Sequence, residues 1–149
     1  MKLEVIKNLN EMEVFADFFL KNIVTQTRDK AVVVGLSGDL GSGKTTFVQN
    51  IAKILKIENY ITSPTFVIQK QYKVLSEKSY FKKLIHVDAY RLDQGKDLLD
   101  IGWEDLINSS DNIIFLEWPE RVKDLLDSHV IYLNFKFIDK DIREISYEK

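Results

Sequence analysis

The string Gly38-Asp39-Leu40-Gly41-Ser42-Gly43-Lys44-Thr45-Thr46 constrains this chain more tightly than any other part of it. It satisfies G-x-x-x-x-G-K-[ST] without a mismatch, and that pattern carries weight only when a strand precedes it and a helix follows. Both are expected here. Ala31 to Leu36 is a β-branched apolar run, and Lys44 to Lys56 puts Phe47, Val48, Ile51, Ala52 and Leu55 on one helical face. Gly38, Gly41 and Gly43 allow a tight turn that brings successive backbone N–H groups to phosphate oxygens, where a side chain would obstruct them. The helix that begins near Lys44 adds the positive end of its dipole, Lys44 offers a full charge to the β and γ phosphates, and the Thr45 hydroxyl can ligate Mg²⁺. The expected ligands are therefore ATP or ADP with Mg²⁺, held along Gly38 to Thr46.

The remaining elements can be placed around this unit. Leu3 to Ile6 reads as a short strand, and Asn10 with Glu13 as a capping box for a helix carrying Met12, Phe15, Ala16, Phe19, Leu20 and Ile23 on one stripe. Ser63-Pro64 breaks the chain, Thr65 to Tyr72 resumes a strand-like pattern, and Val74 to Lys82 reads as a hairpin or surface loop. Lys83 to Val87 and Ile113 to Leu116 are buried-strand candidates, and Leu98 to Ile107 is a short helix or turn segment. Val130 to Phe137 and Ile142 to Tyr147 form a closing antiparallel pair around the turn at Asp139 to Asp141. The fold class expected is α/β, a P-loop NTPase-like three-layer α/β/α arrangement with a mixed, mainly parallel central sheet. The 149 residues contain no repeat or linker, so residues 1–149 are read as a single domain.

Two strand candidates end in acids, Asp88 and Glu117. A Mg²⁺ ion in a P-loop protein draws an acid from the end of a neighbouring strand. Glu117 follows four apolar residues and is assigned to the metal with Thr45, whereas Asp88 is assigned to orienting water or acting as base; the two assignments can be exchanged. Ser63-Pro64-Thr65-Phe66 offers two hydroxyls on a proline-stiffened turn, able to close on a γ-phosphate as switch segments do. Trp118 lies between Glu117 and Pro119, as a core residue or as a flat surface for a partner. His86 and His129 are read as structural.

Composition excludes several classes. With 21 basic and 23 acidic residues the net charge is -2, which gives no positive field to gather DNA, RNA or an acidic membrane. There is no cysteine, hence no disulfide, thiolate metal site or cysteine nucleophile. No apolar run is long enough to span a bilayer, and a cytoplasmic protein is expected. The absence of an N-K-x-D string favours ATP over GTP. Arg28, Arg91, Arg121 and Arg143 are scattered singly, unlike the arginine-rich lid of a small-metabolite kinase. That kinase reading and a nucleotide-gated interaction module remain as alternatives to an ATPase.

The strings GDLGSGKTT at Gly38 to Thr46, SPTF at Ser63 to Phe66, HVDAYRL at His86 to Leu92, IGWEDL at Ile101 to Leu106 and EWPERV at Glu117 to Val122 occur in an order and spacing that resembles the TsaE (formerly YjeE) family. The resemblance covers Leu3 to Ile145. It implies a Mg²⁺-dependent ATPase that is slow alone and acts with the TsaB–TsaD complex. Hydrolysis would let threonylcarbamoyl transfer to adenosine 37 of ANN-decoding tRNAs turn over, with tRNA met only through those partners. Carried over, Gly41 to Thr45 hold phosphates, Thr45 and Glu117 the metal, and Asp88, with Lys44 and Thr65, serves hydrolysis. The resemblance also implies that Trp118 lies beside the nucleotide or a partner and Arg143 against the nucleotide, while Met12 and Ala16 stand where the family often has threonine and glycine near the adenine.

Overall fold

The computed structural model describes residues 1–24 and 29–148, so Arg28 lies outside the described residues. Its centre is a seven-stranded sheet built from β1 (Lys2–Ile6), β2 (Val32–Ser37), β3 (Gln69–Lys73), β4 (Lys83–Asp88), β5 (Asn112–Glu117), β6 (Ile131–Phe137) and β7 (Arg143–Tyr147). The spatial order is β1-β7-β6-β2-β5-β4-β3. The four inner strands β6, β2, β5 and β4 run parallel, while β7 and β1 at one edge and β3 at the other pair antiparallel. Strands buried on both faces read as continuous apolar runs. Accordingly β5 is buried at all six positions and β2 at all but Ser37.

Alternate residues of the inner strands feed two separate cores, which makes the arrangement three-layered. Val32, Val34, Leu36, Ile113 and Phe115 meet α1 (Leu9–Phe18), its π-helical continuation Phe19–Ile23, and α2 (Lys44–Ile54). Val33, Ile85, Val87, Ile114 and Leu116 meet α3 (Gly95–Leu99), α4 (Trp103–Ile107) and the 3₁₀ turn Pro119–Val122. Phe47 of α2 is fully buried, with its ring centroid 5.4 Å from Phe19, 5.6 Å from Phe135, 5.7 Å from Phe15 and 6.1 Å from Phe115. Truncating such a ring to alanine costs about 3–5 kcal/mol. Phe47 therefore fixes α2, and with it the glycine-rich turn, against both α1 and the sheet.

Several expectations are met and three are corrected. The stripe from Met12 to Ile23 is buried as expected, Leu20 only partly. The hairpin at residues 74–82 joins β3 to β4, and β6 pairs with β7 as foreseen. The cap of α1, however, is Asn8 rather than Asn10: its side chain accepts from the Glu11 N–H at 2.9 Å, and the Lys7 N–H donates to the Glu11 carboxylate at 2.8 Å. The strand expected from Thr65 begins only at Gln69, because residues 64–68 turn on themselves. There the Ile68 N–H reaches the Pro64 carbonyl at 2.7 Å, and Ile68 sits at φ 69°. The segment from Leu98 to Ile107 is two short helices parted by Gly102 at φ 87°. Among the described residues no helix is long and apolar enough to cross a membrane.

Candidate active site

The carboxyl ends of β2, β4 and β5 open onto one cleft of about 980 Å³. β2 ends at Ser37, the chain turns through Gly38 at φ 136°, Gly41 at φ 76° and Gly43 at φ 108°, and α2 starts at Lys44. Such φ values strain any residue with a side chain. A Cβ on Gly38 would also lie 2.3 Å from the Phe135 carbonyl oxygen, so that position has no room for one, whereas Gly41 faces open space. No side chain caps α2, which leaves the N–H groups of its first turn facing the cleft. The turn and helix end together form an anion cradle.

Lys44 is folded into this cradle. Its ammonium donates to the Gly38 carbonyl and, at 3.0 Å, to the Asp39 carbonyl, and it lies 4.8 Å from the Trp118 ring centroid. Burial pushes the lysine below its usual range, opposed by the charges of Glu117, Asp88, Glu120 and Asp39. A buried cation hydrogen-bonded to two backbone carbonyls and set beside an aromatic ring can exchange those carbonyls for a full negative charge.

The two strand-end acids stand side by side, since Asp88 and Glu117 are register partners in the parallel β4–β5 pair. Both are nearly buried, at 3% and 4% exposure. Glu117 Oε1 accepts from the Thr45 hydroxyl at 3.2 Å and bonds His86 Nε2 at 2.8 Å. Asp88 Oδ2 accepts from Thr65 at 2.8 Å and from Ser63 at 3.2 Å, and its Oδ1 accepts from the Tyr90 N–H at 2.9 Å. Among the described residues no group of three or more acidic or histidine side chains is arranged to hold a metal by itself. A hydroxyl beside a carboxylate, next to a phosphate cradle, is nonetheless the partial oxygen shell Mg²⁺ takes when nucleotide completes it. The residues present fit that ion.

Most of the expected residues converge here. Leu40, Gly41, Gly43, Lys44, Thr45, Thr46, Thr65, Asp88, Glu117, Trp118 and Arg143 all line the cleft. Gly38, Asp39 and Ser42 do not; they shape the turn, where the Ser42 N–H donates to the Asp39 carbonyl at 3.1 Å. Trp118 occupies the left-handed region at φ 58°, with its ring 5.4 Å from Tyr90. Such a conformation costs about 1–3 kcal/mol and persists where surrounding structure enforces it. The Arg143 stem passes 3.8 Å from the Cβ position of Gly43, while its Nη1 is held by the Asp139 carbonyl at 2.6 Å and its buried Nε has no partner. Met12 reaches the cleft, but Ala16 is buried in the core beneath it. Sequence reasoning missed the far wall from Ile6 to Asn10, Lys140 and Asp141, and Tyr90. Tyr90 alone had a signal, two positions after Asp88.

Comparison with known proteins identifies the family and the fold. The family model described as threonylcarbamoyl adenosine biosynthesis protein TsaE matches residues 6–145. The chain is 32% identical to the tRNA threonylcarbamoyladenosine biosynthesis protein TsaE of Rickettsia typhi over 148 residues, 99% of this chain and 94% of that protein. It is 30% identical to the protein of the same name from Haemophilus influenzae, over 88% of this chain and 78% of the relative. The crystal structure of Bacillus subtilis YdiB superposes with a TM-score of 0.71 at 23% identity, covering 98% of this chain and 83% of that one, which shows the shared fold.

Proposed function

The chain belongs to the TsaE family of threonylcarbamoyl adenosine biosynthesis proteins, and we propose that within this tRNA modification pathway it is a Mg²⁺-dependent ATPase working beside the TsaB–TsaD complex. The observation that carries the reading is the convergence of Lys44, Thr45, Asp88 and Glu117 on one cleft at the mouth of the glycine-rich turn. Backbone N–H groups of Gly41 to Thr45 cradle the phosphates of ATP, and Lys44 leaves the Gly38 and Asp39 carbonyls to meet them. Thr45 and Glu117 hold Mg²⁺, which neutralises charge on the β and γ phosphates. Asp88 orients the attacking water, or accepts its proton, with Thr65 and Ser63 fixing the direction of its carboxylate. Trp118 and Arg143 flank the nucleotide. The net charge of -2 leaves tRNA to the partners, and the protein works in the cytoplasm. Among the described residues Arg143 is the one arginine lining the cleft, and its Nη1 is held by the carbonyls of Asp139, Lys140 and Ile142, so turnover is slow until the partners complete the site.

Lys44→Ala is the direct test. A charge-assisted hydrogen bond is worth about 1.5–3 kcal/mol, roughly 10- to 150-fold in affinity. Calorimetry is expected to show ATP affinity reduced by that factor, and mass spectrometry of tRNA from cells carrying the variant to show depleted threonylcarbamoyladenosine. Undiminished binding and modification together would refute the proposal.

A further inference from the structure

We propose that His86 is a positioning residue for the metal site, holding the Glu117 carboxylate in the orientation it needs; this rests on the reading of Thr45 and Glu117 as the Mg²⁺ pair. His86 lies inside β4, fully buried, on the face of the sheet that α2 covers. Its neighbours along the strand on that face are Leu84, which belongs to the apolar core, and Asp88 at the cleft. An imidazole at such a depth is disfavoured against an aliphatic side chain unless its polar atoms are paired. The pairing it has is specific. Nε2 bonds Glu117 Oε1 at 2.8 Å, whereas Nδ1 is buried without a partner. An unpaired ring nitrogen is tolerated more readily as a bare acceptor than as an N–H donor, so the proton sits on Nε2 and is donated to the carboxylate. The same oxygen also accepts from Thr45. Two donors from two rigid elements thus converge on a single oxygen of Glu117 and fix the rotation of the carboxylate.

A histidine kept only for packing would show no preference for which ring nitrogen is replaced. One that positions Glu117 needs a donor at the reach of Nε2. Glutamine places its amide nitrogen near the Nε2 position and asparagine near that of Nδ1, so His86→Gln and His86→Asn separate the two roles with polar side chains in both. The readout is ADP affinity by calorimetry, with excess Mg²⁺ and with the metal chelated. Partners that orient a metal ligand typically change metal affinity by about 10- to 100-fold when lost. His86→Asn is therefore expected to lose about tenfold or more of the Mg²⁺-dependent gain in affinity while its metal-free affinity stays unchanged; His86→Gln is expected to stay within about threefold of the parent. Equal losses in the two variants, or an undiminished Mg²⁺ gain in His86→Asn, would overturn the role of His86 alone. A parent protein whose ADP affinity ignores Mg²⁺ would overturn the metal assignment as well. If His86→Asn does not fold, His86→Leu replaces it with the same expected loss, and a full Mg²⁺ gain in that variant overturns the inference equally.

Discussion

Asp88 and Glu117 occupy the same level of neighbouring strands and are almost equally buried, yet they are tied to different kinds of structure. Glu117 is bonded by Thr45 from the first turn of α2 and by His86 from within β4. Asp88 is bonded by Ser63 and Thr65, on the irregular stretch between α2 and β3, and by the backbone of Tyr90 just beyond its own strand. Core elements open only with much of the fold, whereas loop contacts open at far lower cost. One acid therefore has a fixed address, and the other has partners that can be rearranged. On the function proposed above, a fixed carboxylate suits a cation that would arrive with the nucleotide. A carboxylate tied to a turn suits a step that would begin once that turn closed on a γ-phosphate.

Exchanging each acid for its amide is the strongest way to break this contrast. Asp88→Asn keeps the shape of the side chain and removes a proton acceptor, a role typically worth about 10²–10⁴-fold in rate. Single-turnover hydrolysis is expected to fall by that range, while Mg·ATP affinity stays within about threefold. Glu117→Gln is expected to show the converse in binding: the Mg²⁺-dependent gain in affinity disappears, and hydrolysis falls with it. If Asp88→Asn instead loses the Mg²⁺ dependence, the two roles are exchanged. The same variant sharpens the biological question. Full tRNA modification in cells carrying Asp88→Asn would favour a nucleotide-gated interaction module over a required hydrolysis.

A smaller effect tests the movable side of the pair. Thr65→Val removes the shorter of the two hydroxyl bonds to Asp88 Oδ2 and leaves that from Ser63. Hydrolysis is expected to fall roughly tenfold, the lower end for a hydrogen bond to a charged group, with nucleotide affinity unchanged. Thr65→Ser, which keeps the hydroxyl, is expected to restore the rate. A rate unmoved by Thr65→Val would mean that the turn does not act through Asp88.

The parts of this molecule readable in its sequence are those whose physics is local. The turn from Gly38 to Thr46 announces itself because three glycines, a lysine and a threonine must be adjacent to do their work, and the flanking periodicities confirm strand and helix. Asp88 and Glu117 stand out because an acid after an apolar run ends a buried strand. The cap of α1 is ambiguous in sequence because asparagines at positions 8 and 10 each have a glutamate three residues on, Glu11 and Glu13, and only tertiary packing chooses between them. The late start of β3 reflects the turn after Pro64, whose positive φ at Ile68 no β-branched residue advertises. The bond from His86 to Glu117 joins residues 31 apart through the pairing of two parallel strands, a register that one-dimensional pattern does not contain.

The smallest expected effect concerns Lys44, which stands between the two acids electrostatically. Burial lowers it from the ordinary 10.5, against the upward pull of Glu117 and then Asp88. Between that lowered value and 10.5 the native chain binds fewer protons than the unfolded chain, so Lys44 makes the nucleotide-free protein gain stability as pH rises through this window. A triphosphate beside the ammonium favours its charged form and raises the value again. The complex then holds more protons than the free protein, and affinity for ATP must fall as pH rises through the same window. Calorimetry in two buffers of different ionisation heat is expected to show a fraction of a proton taken up per ATP bound at alkaline pH, little near neutrality, and none in Lys44→Met. No uptake at alkaline pH in the parent protein would mean that Lys44 stays on the Gly38 and Asp39 carbonyls when nucleotide binds, leaving the cradle to backbone amides alone.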